Sequence, residues 1–185
     1  MELNERELTD FINKFRDRVF RTCLGFVQDT EDASDLTQEV FLAVIESIHS
    51  YRSESKLETW MYRIAVNKSL NFLRKRKIEA MFQNIDRLVF GKGSKEMPQL
   101  SHNPGEMREN SDDAKFLLRF ALGKLPENQR IVFILGKYDE KSNSEIANIM
   151  EISLSAVEAL QHRAKRNLQN VIRSYTKTNY DGNER

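Results

Sequence analysis

Apolar positions recur every three or four residues through most of this chain, which is the period of an amphipathic helix. From Glu5 to Val27 the repeat is Leu8, Phe11, Ile12, Phe15, Val19, Cys23 and Phe26. Gln28-Asp29-Thr30 breaks it, and a second helix is predicted from about Glu31 with Leu36, Val40, Phe41, Val44, Ile45 and Ile48 as its apolar positions. Asp32, Asp35, Gln38, Glu39 and Glu46 form an acidic opposite face. After a polar stretch from Ser50 to Ser55, a third helix is predicted from Glu58 to about Lys77, capped by Ser55 or Thr59 and carrying Trp60, Ile64, Leu70 and Leu73.

The order then lapses. Residues 79–111 hold Pro98, Pro104 and three of the seven glycines, which reads as a flexible linker, with some helix possible over Ile78 to Phe90. It resumes at Asp112. Ala114 to Gly123 is one helix, and a second follows Leu125-Pro126-Glu127 to about Tyr138, with Pro126 suited to a first helical turn. Ser142-x-x-Glu145 has the form of a capping box, Ile146, Ala147, Ile149 and Met150 make an inward face, and Glu151-Ile152 makes a turn. Ser153 caps a last helix striped by Leu154, Val157, Leu160, Ala164, Leu168 and Val171. No segment alternates as a strand does. The fold class expected is all-α: two small helical domains, 1–78 and 112–177, a linker over 79–111 and a tail over 178–185. The second domain ends in a helix-turn-helix.

Charge sharpens this picture. The net charge is +1, but residues 1–50 sum to −6, residues 51–78 to +6 and residues 162–185 to +4. Two basic segments separated by acidic ones suit two phosphate-facing surfaces. Ordinary solvated helix faces would look the same from charge alone. The single cysteine, Cys23, sits in an apolar setting and reads as a buried structural thiol. His49, His102 and His162 are far apart, and no paired His/Cys spacing or phosphate-cradling glycine loop occurs, so neither metal, cofactor nor enzymatic chemistry is indicated. The acidic N-terminus has no apolar secretory core and no apolar run could span a membrane, which places the chain in the cytoplasm.

Four segments in order carry a resemblance to a known family. DASDLTQEVFLAV and ETWMYRIAVNKSLNFLRKR resemble the core-polymerase-binding and promoter-melting helices of bacterial RNA polymerase sigma factors of the sigma-70 family, extracytoplasmic-function group. LPENQRIVFIL and SEIANIMEISLSAVEALQHRAKRNL resemble the domain of that family that reads the −35 element. The resemblance implies a promoter-specificity subunit with core RNA polymerase and promoter DNA as partners, and a membrane-anchored anti-sigma protein as its regulator. It implies that Asp35, Gln38 and Glu39 dock on polymerase, where an acidic face suits a basic partner.

Melting a −10 element needs stacking platforms, amides for base edges and cations for phosphates. By resemblance the loop Tyr51, Arg52, Ser53, Glu54, Ser55, Lys56 and Leu57 forms a pocket for a flipped base. Asn67 and Asn71 reach base edges, while Arg63, Lys68, Arg74 and Lys75 hold backbone. Trp60 fits a core position as well as it fits base contact. For the −35 element, Ser155, Glu158, Ala159, His162 and Arg163 face the major groove, and Lys165 and Arg166 face phosphates. Arg163 is the candidate for bidentate guanine contact. Many members carry basic residues where this chain has Glu158 and Leu160, and glycine where it has Glu151. A carboxylate repels phosphate but accepts from cytosine N4, so the family's −35 preference does not transfer. Glu151 costs about 1 kcal/mol if its φ is positive. Two other readings keep to the same residues: a self-sufficient helix-turn-helix regulator, and a sigma-like adaptor that binds proteins.

Overall fold

The computed structural model describes residues 4–52, 55–90 and 112–180, and within these every regular element is a helix. Helix α1 spans Glu5–Val27, α2 Thr30–Ser47, α3 Leu57–Phe90, α4 Asp112–Gly123, α5 Glu127–Lys137, α6 Asn143–Met150 and α7 Leu154–Tyr180, with a 3-10 turn at Ile48–Ser50. The helix ends have identifiable causes. Asn4 and Glu7 form a reciprocal capping box at α1 (Glu7 N–H to Asn4 Oδ1 2.9 Å, Asn4 N–H to Glu7 Oε2 3.0 Å). Asp29 accepts from the amides of Glu31 and Asp32 at the start of α2. Both devices satisfy amides that have no partner within their helix.

The hydrophobic pattern finds its partners along α1. Phe15, Val19, Cys23 and Phe26 are buried against α2 and α3, where Leu36, Val40, Val44, Met61, Tyr62, Ala65 and Val66 complete the cluster. Burial pushes the Cys23 thiol up to about 11, as expected for an inert core cysteine. The same cluster continues into the second half of the chain. Ile131, Ile134 and Leu135 of α5, Ile146 and Ile149 of α6 and Val157 of α7 all belong to it. A smaller cluster of Ala121, Leu122, Leu125, Ala164 and Leu168 joins α4, α5 and α7.

Several sequence expectations need correction. Ile45 is not inward: it is 44% exposed and stands beside Leu42, 57% exposed, on the outer face of α2. Helix α3 does not stop near Lys77 but runs on to Phe90, which is the helix the sequence allowed over Ile78 to Phe90 within the expected linker, and residues 91–111 lie outside the described residues. Its hydrogen-bond ladder begins with Trp60 N–H donating to the Lys56 carbonyl, so neither Ser55 nor Thr59 is its cap. Pro126 is the N-cap of α5, with an extended ψ of 143°, rather than a residue of its first turn. Helix α7 reaches Tyr180, three residues into the expected tail.

The helix-turn-helix forms as read. Glu145 N–H donates to Ser142 Oγ (3.3 Å) while Ser142 N–H and Oγ–H donate to Glu145 Oε2 (2.9 and 2.8 Å). The turn residue Glu151 is left-handed, φ 55°, as are Gln28 (φ 64°) and Glu140 (φ 54°). Ser153 Oγ accepts from the Ala156 amide at the start of α7 (3.2 Å).

The hydrogen bonds from the Ser142 backbone and hydroxyl hold the Glu145 carboxyl below the ordinary glutamate value. Its folded pKa is depressed, so its contribution is present above the unfolded value of about 4.3 and is lost as pH falls through the folded one. Ser142→Ala should therefore destabilise the helix-turn-helix by about 1 kcal/mol at neutral pH. Glu145→Gln should remove part of the acid dependence of the melting temperature, and thermal melts followed by circular dichroism between pH 3 and 7 measure both.

Candidate nucleic-acid interface

Helix α3 sets the first surface. Arg63, Asn67, Asn71 and Arg74 follow one another at four-, four- and three-residue steps, which keeps them on one face. Asn67 and Asn71 are both exposed, and Arg74 Nη1 donates to Asn71 Oδ1 at 3.1 Å. Lys75 is exposed beside them, 4.0 Å from Glu79. At the start of the helix the Tyr51 and Trp60 rings lie 5.3 Å apart at 45°. The Tyr51 hydroxyl donates to the Ser55 carbonyl, which ties down both ends of the short loop before α3. Trp60 is half-buried: one side of it packs on the core, so it serves as a core residue while its ring also backs Tyr51. Arg52 and Lys56 are exposed, Ser55 and Leu57 are half-buried, and Ser53 and Glu54 lie outside the described residues.

Several of these cations already have partners. Lys68 Nζ is 3.2 Å from Glu39 on α2, and Arg76 Nη1 is 2.7 Å from Asp32. Arg63 reaches out of its own unit: its Nε donates to the Asn148 carbonyl of α6 at 2.8 Å, and its Nη1 is 3.7 Å from Glu151. The carbonyls of a helix's last turn lack intrahelical partners and carry the negative end of its dipole, so the guanidinium is well placed there.

The second surface is the outer side of α7. Ser155, Glu158, His162, Arg163, Lys165 and Arg166 are exposed, and Ala159 is half-buried. Ala159 and Arg163 do not face open solvent on all sides. With Val66, Asn67 and Leu70 of α3 they line a cleft of about 390 Å³ between the two helices. The structure thus brings a residue expected at the −10 strand and two expected in the −35 groove to one cleft, while Asn71, Arg74 and Lys75 lie along α3 toward its far end. On α2, Asp35, Gln38 and Glu39 are exposed on the face that also carries Leu42 and Ile45. Sequence reading did not select those two aliphatic residues for a surface. Their only signal was that Leu42 lies three and four residues beyond Glu39 and Gln38, on the polar face.

A group absent from the sequence reading joins α1, α3 and the turn after α5. Asp139, 8% exposed, accepts from Thr22 Oγ1 of α1 at 2.8 Å and from the Tyr62 hydroxyl of α3 at 3.1 Å. Burial pushes its carboxyl up, and the two hydroxyls pull it partly back. Burial and the adjacent carboxylate likewise push the Tyr62 hydroxyl far up. Lys141 lies over the Tyr62 ring, 4.8 Å from its centroid, and its ammonium pairs with Glu58. Among the described residues no group of His, Cys, Asp and Glu could hold a metal ion, and no helix is long and apolar enough to cross a membrane.

Comparison with known proteins identifies the family of both regions. Residues 11–78 match the family model for sigma-70 region 2, and residues 115–168 match that for sigma-70 region 4, together about two thirds of the chain. The extracytoplasmic-function sigma factor SigW of Bacillus subtilis is 28% identical over 167 residues, covering 89% of this chain and 88% of its own. The extracytoplasmic-function sigma-E factor of Escherichia coli K12 is 28% identical over 144 residues, 76% of this chain and 74% of its own. Among solved structures, the sigma factor RpoE in complex with the anti-sigma factor NepR from Bartonella quintana has a TM-score of 0.68 at 18% identity and covers 91% of this chain and 98% of its own. CnrH in complex with the cytosolic domain of CnrY gives 0.66 at 19% identity, covering 92% and 90%. The last two show the shared two-region helical fold. With a region 2 carrying paired amides on a basic helix and a region 4 ending in a capped helix-turn-helix, in the family's order, the chain belongs to the sigma-70 family of RNA polymerase sigma factors, in the extracytoplasmic-function group.

Proposed function

We propose that this sigma factor directs promoter-specific initiation through three surfaces: the outer face of α2 for polymerase, the Tyr51–Lys75 face for the melted −10 strand, and the outer side of α7 for the −35 groove. The observation that carries the reading is the exposure of Asn67 and Asn71 on one face of α3. Between a tyrosine–tryptophan pair at one end and Arg74 and Lys75 at the other, they supply amides, a stacking platform and cations along one line. That is the chemistry needed to hold unstacked bases. Tyr51, Arg52, Ser55, Lys56 and Leu57 make the pocket wall, and Arg63 and Lys68 reach phosphates once their acidic partners are displaced.

On α2 the polymerase surface is amphipathic rather than simply acidic. Asp35, Gln38 and Glu39 orient a basic partner, and Leu42 and Ile45 supply the apolar area that a stable interface centres on. On α7, Arg163 offers a bidentate contact to guanine, and Glu158 selects cytosine through its N4 amine. The protein acts stoichiometrically as a DNA-binding subunit, without a reaction of its own, in the cytoplasm with polymerase. Its structural neighbour RpoE is bound by an anti-sigma factor, and a protein of that class, anchored at the membrane, is the regulator proposed for this chain.

Run-off transcription with purified core polymerase on pooled genomic fragments tests the reading as a whole: transcripts with defined starts should appear only when the protein is added. Absence of polymerase binding would leave a plain helix-turn-helix regulator. Asn67→Ala with Asn71→Ala should preserve polymerase affinity and abolish open-complex formation, scored by permanganate footprinting. Leu42→Ala with Ile45→Ala should lower polymerase affinity by about tenfold or more, since apolar interface anchors cost about 1–2 kcal/mol each when truncated. The melting temperature should hardly change, because both side chains are exposed.

A further inference from the structure

Residues 1–50 carry eleven acidic side chains and only five basic ones, and the basic ones are not scattered: all five lie on α1, four of them between Lys14 and Arg21. Lys14, Arg18 and Arg21 follow one another at four- and three-residue steps, so they share one face of the helix, and all three are exposed. With Phe15, Asp17 and Glu58 they line an open groove of about 370 Å³ on the outside of α1. Like charges at this spacing repel and work against the helix that carries them. Carboxylates do not relieve the repulsion. Among the described residues neither Lys14 nor Arg21 has a carboxylate within ion-pair distance, whereas Arg63, Lys68 and Arg76 each have one. Arg18 stands 3.4 Å from Glu58, and Lys141 pairs with the same carboxylate oxygen, so Glu58 keeps a cation when Arg18 turns away.

The place of the groove supplies a reason for the cluster. Glu58 is the second residue of α3 and follows directly on the loop Tyr51 to Leu57, so the cations of α1 lie one ion pair away from that loop. Asn67, Asn71, Arg74 and Lys75 run along α3 toward its far end, and the α1 groove opens at the near end. No amide lines the groove, and its one aromatic residue, Phe15, is buried. It offers charge without a group that reads bases, which is the chemistry of a backbone contact. We propose that Lys14, Arg18 and Arg21 form a phosphate track that grips the sugar–phosphate backbone of single-stranded DNA next to the segment held by the Tyr51–Leu57 loop. From Lys14 to Arg21 the face is about 10 Å long, the length of about three nucleotides at the roughly 3.4 Å spacing of a stacked strand. One row of cations matches one backbone, and the bases along it are left unread. The proposal rests on the −10 assignment for which strand lies there, and on the α1 geometry for the track itself.

Lys14→Gln with Arg21→Gln removes two of the three cations. Both positions are exposed and glutamine is a good helix former, so circular dichroism and the melting temperature should match wild type. Arg16→Gln with Arg173→Gln is the control: it makes the same change in net charge at exposed positions off the track, since residues two apart on a helix do not share a face. The full chain is titrated into a fluorescein-labelled oligothymidylate of about 20 nucleotides, long enough for an extended single-strand site, and anisotropy is read over a salt series. Each phosphate contact to a single strand contributes about 0.7 to the slope of log affinity against log salt, so the track variant should lose about 1.4 of that slope and bind at least about threefold more weakly at low salt. The control should keep the wild-type slope. Equal slopes for track variant and control, or no binding by wild type at low salt, overturn the track. Open complexes with core polymerase, timed after a heparin challenge, then place it. The track variant should shorten their lifetime at unchanged polymerase affinity. A reduced slope with a wild-type lifetime, while Asn67→Ala with Asn71→Ala abolishes the complexes, overturns the position beside the melted strand. A reduced slope with neither pair affecting open complexes would keep the track and remove the −10 assignment. An unreduced slope with open complexes lost in the asparagine variant would do the reverse.

Discussion

Everything else in this structure depends on α1 being covered on two sides. A single amphipathic helix ordinarily buries one stripe. Here Phe15, Val19, Cys23 and Phe26 meet α2 and α3, while Thr22 and Gly25, offset around the helix, meet the turn after α5 and Ile134. Units of this size have shallow cores. Region 4 has a small cluster of its own around Leu122, Leu125 and Leu168, and the buried apolar residues of α5 and α6 join the cluster that α1, α2 and α3 form.

Charge is arranged to the same end. A nearly neutral chain contains a strongly basic segment, yet Arg63, Lys68 and Arg76 each rest beside an acidic group: Glu151, Glu39 and Asp32. Exposed pairs of this kind contribute only about 0–1 kcal/mol each. They order the long side chains without committing them, and a row of phosphates can replace the carboxylates at small cost. Asp139 is the opposite case, a carboxylate removed from water whose partners cannot be exchanged while the surrounding helices stay packed.

How much of this was legible in the sequence depended on whether the cause was local. The bounds of α1, the cap at Ser142 and the turn at Glu151-Ile152 follow from residues within four positions of one another, and each could be read directly, whereas the left-handed φ of Glu151 was conditional in the sequence and is set by the structure. The pair Asn67 and Asn71 was legible for the same reason. Ile45 was misplaced because it follows Val44: periodicity locates the stripe but does not fix its edge, which packing decides. The extension of α3 past Lys77 was obscured by a run of cations that looks like a helix end. Asp139 was not legible at all. In the string Tyr-Asp-Glu-Lys-Ser-Asn it looks like solvated turn chemistry, and only the arrival of Thr22 and Tyr62, distant in sequence, buries it.

The continuation of α3 to Phe90 makes that helix a 34-residue rod, about 50 Å long at 1.5 Å per residue. One end carries the candidate −10 residues, and the other is where the chain leaves region 2. Residues 91 to 111, whatever path they take, span at most about 75 Å before α4 begins. The rod and the tether together are a ruler. Since base pairs are stacked 3.4 Å apart, the tether alone reaches along roughly 20 of them. Inserting or deleting a turn of α3 beyond Lys77 would move the exit point by about 5.4 Å and rotate it little, changing the range of promoter spacers within reach and leaving the residues that read the bases as they are.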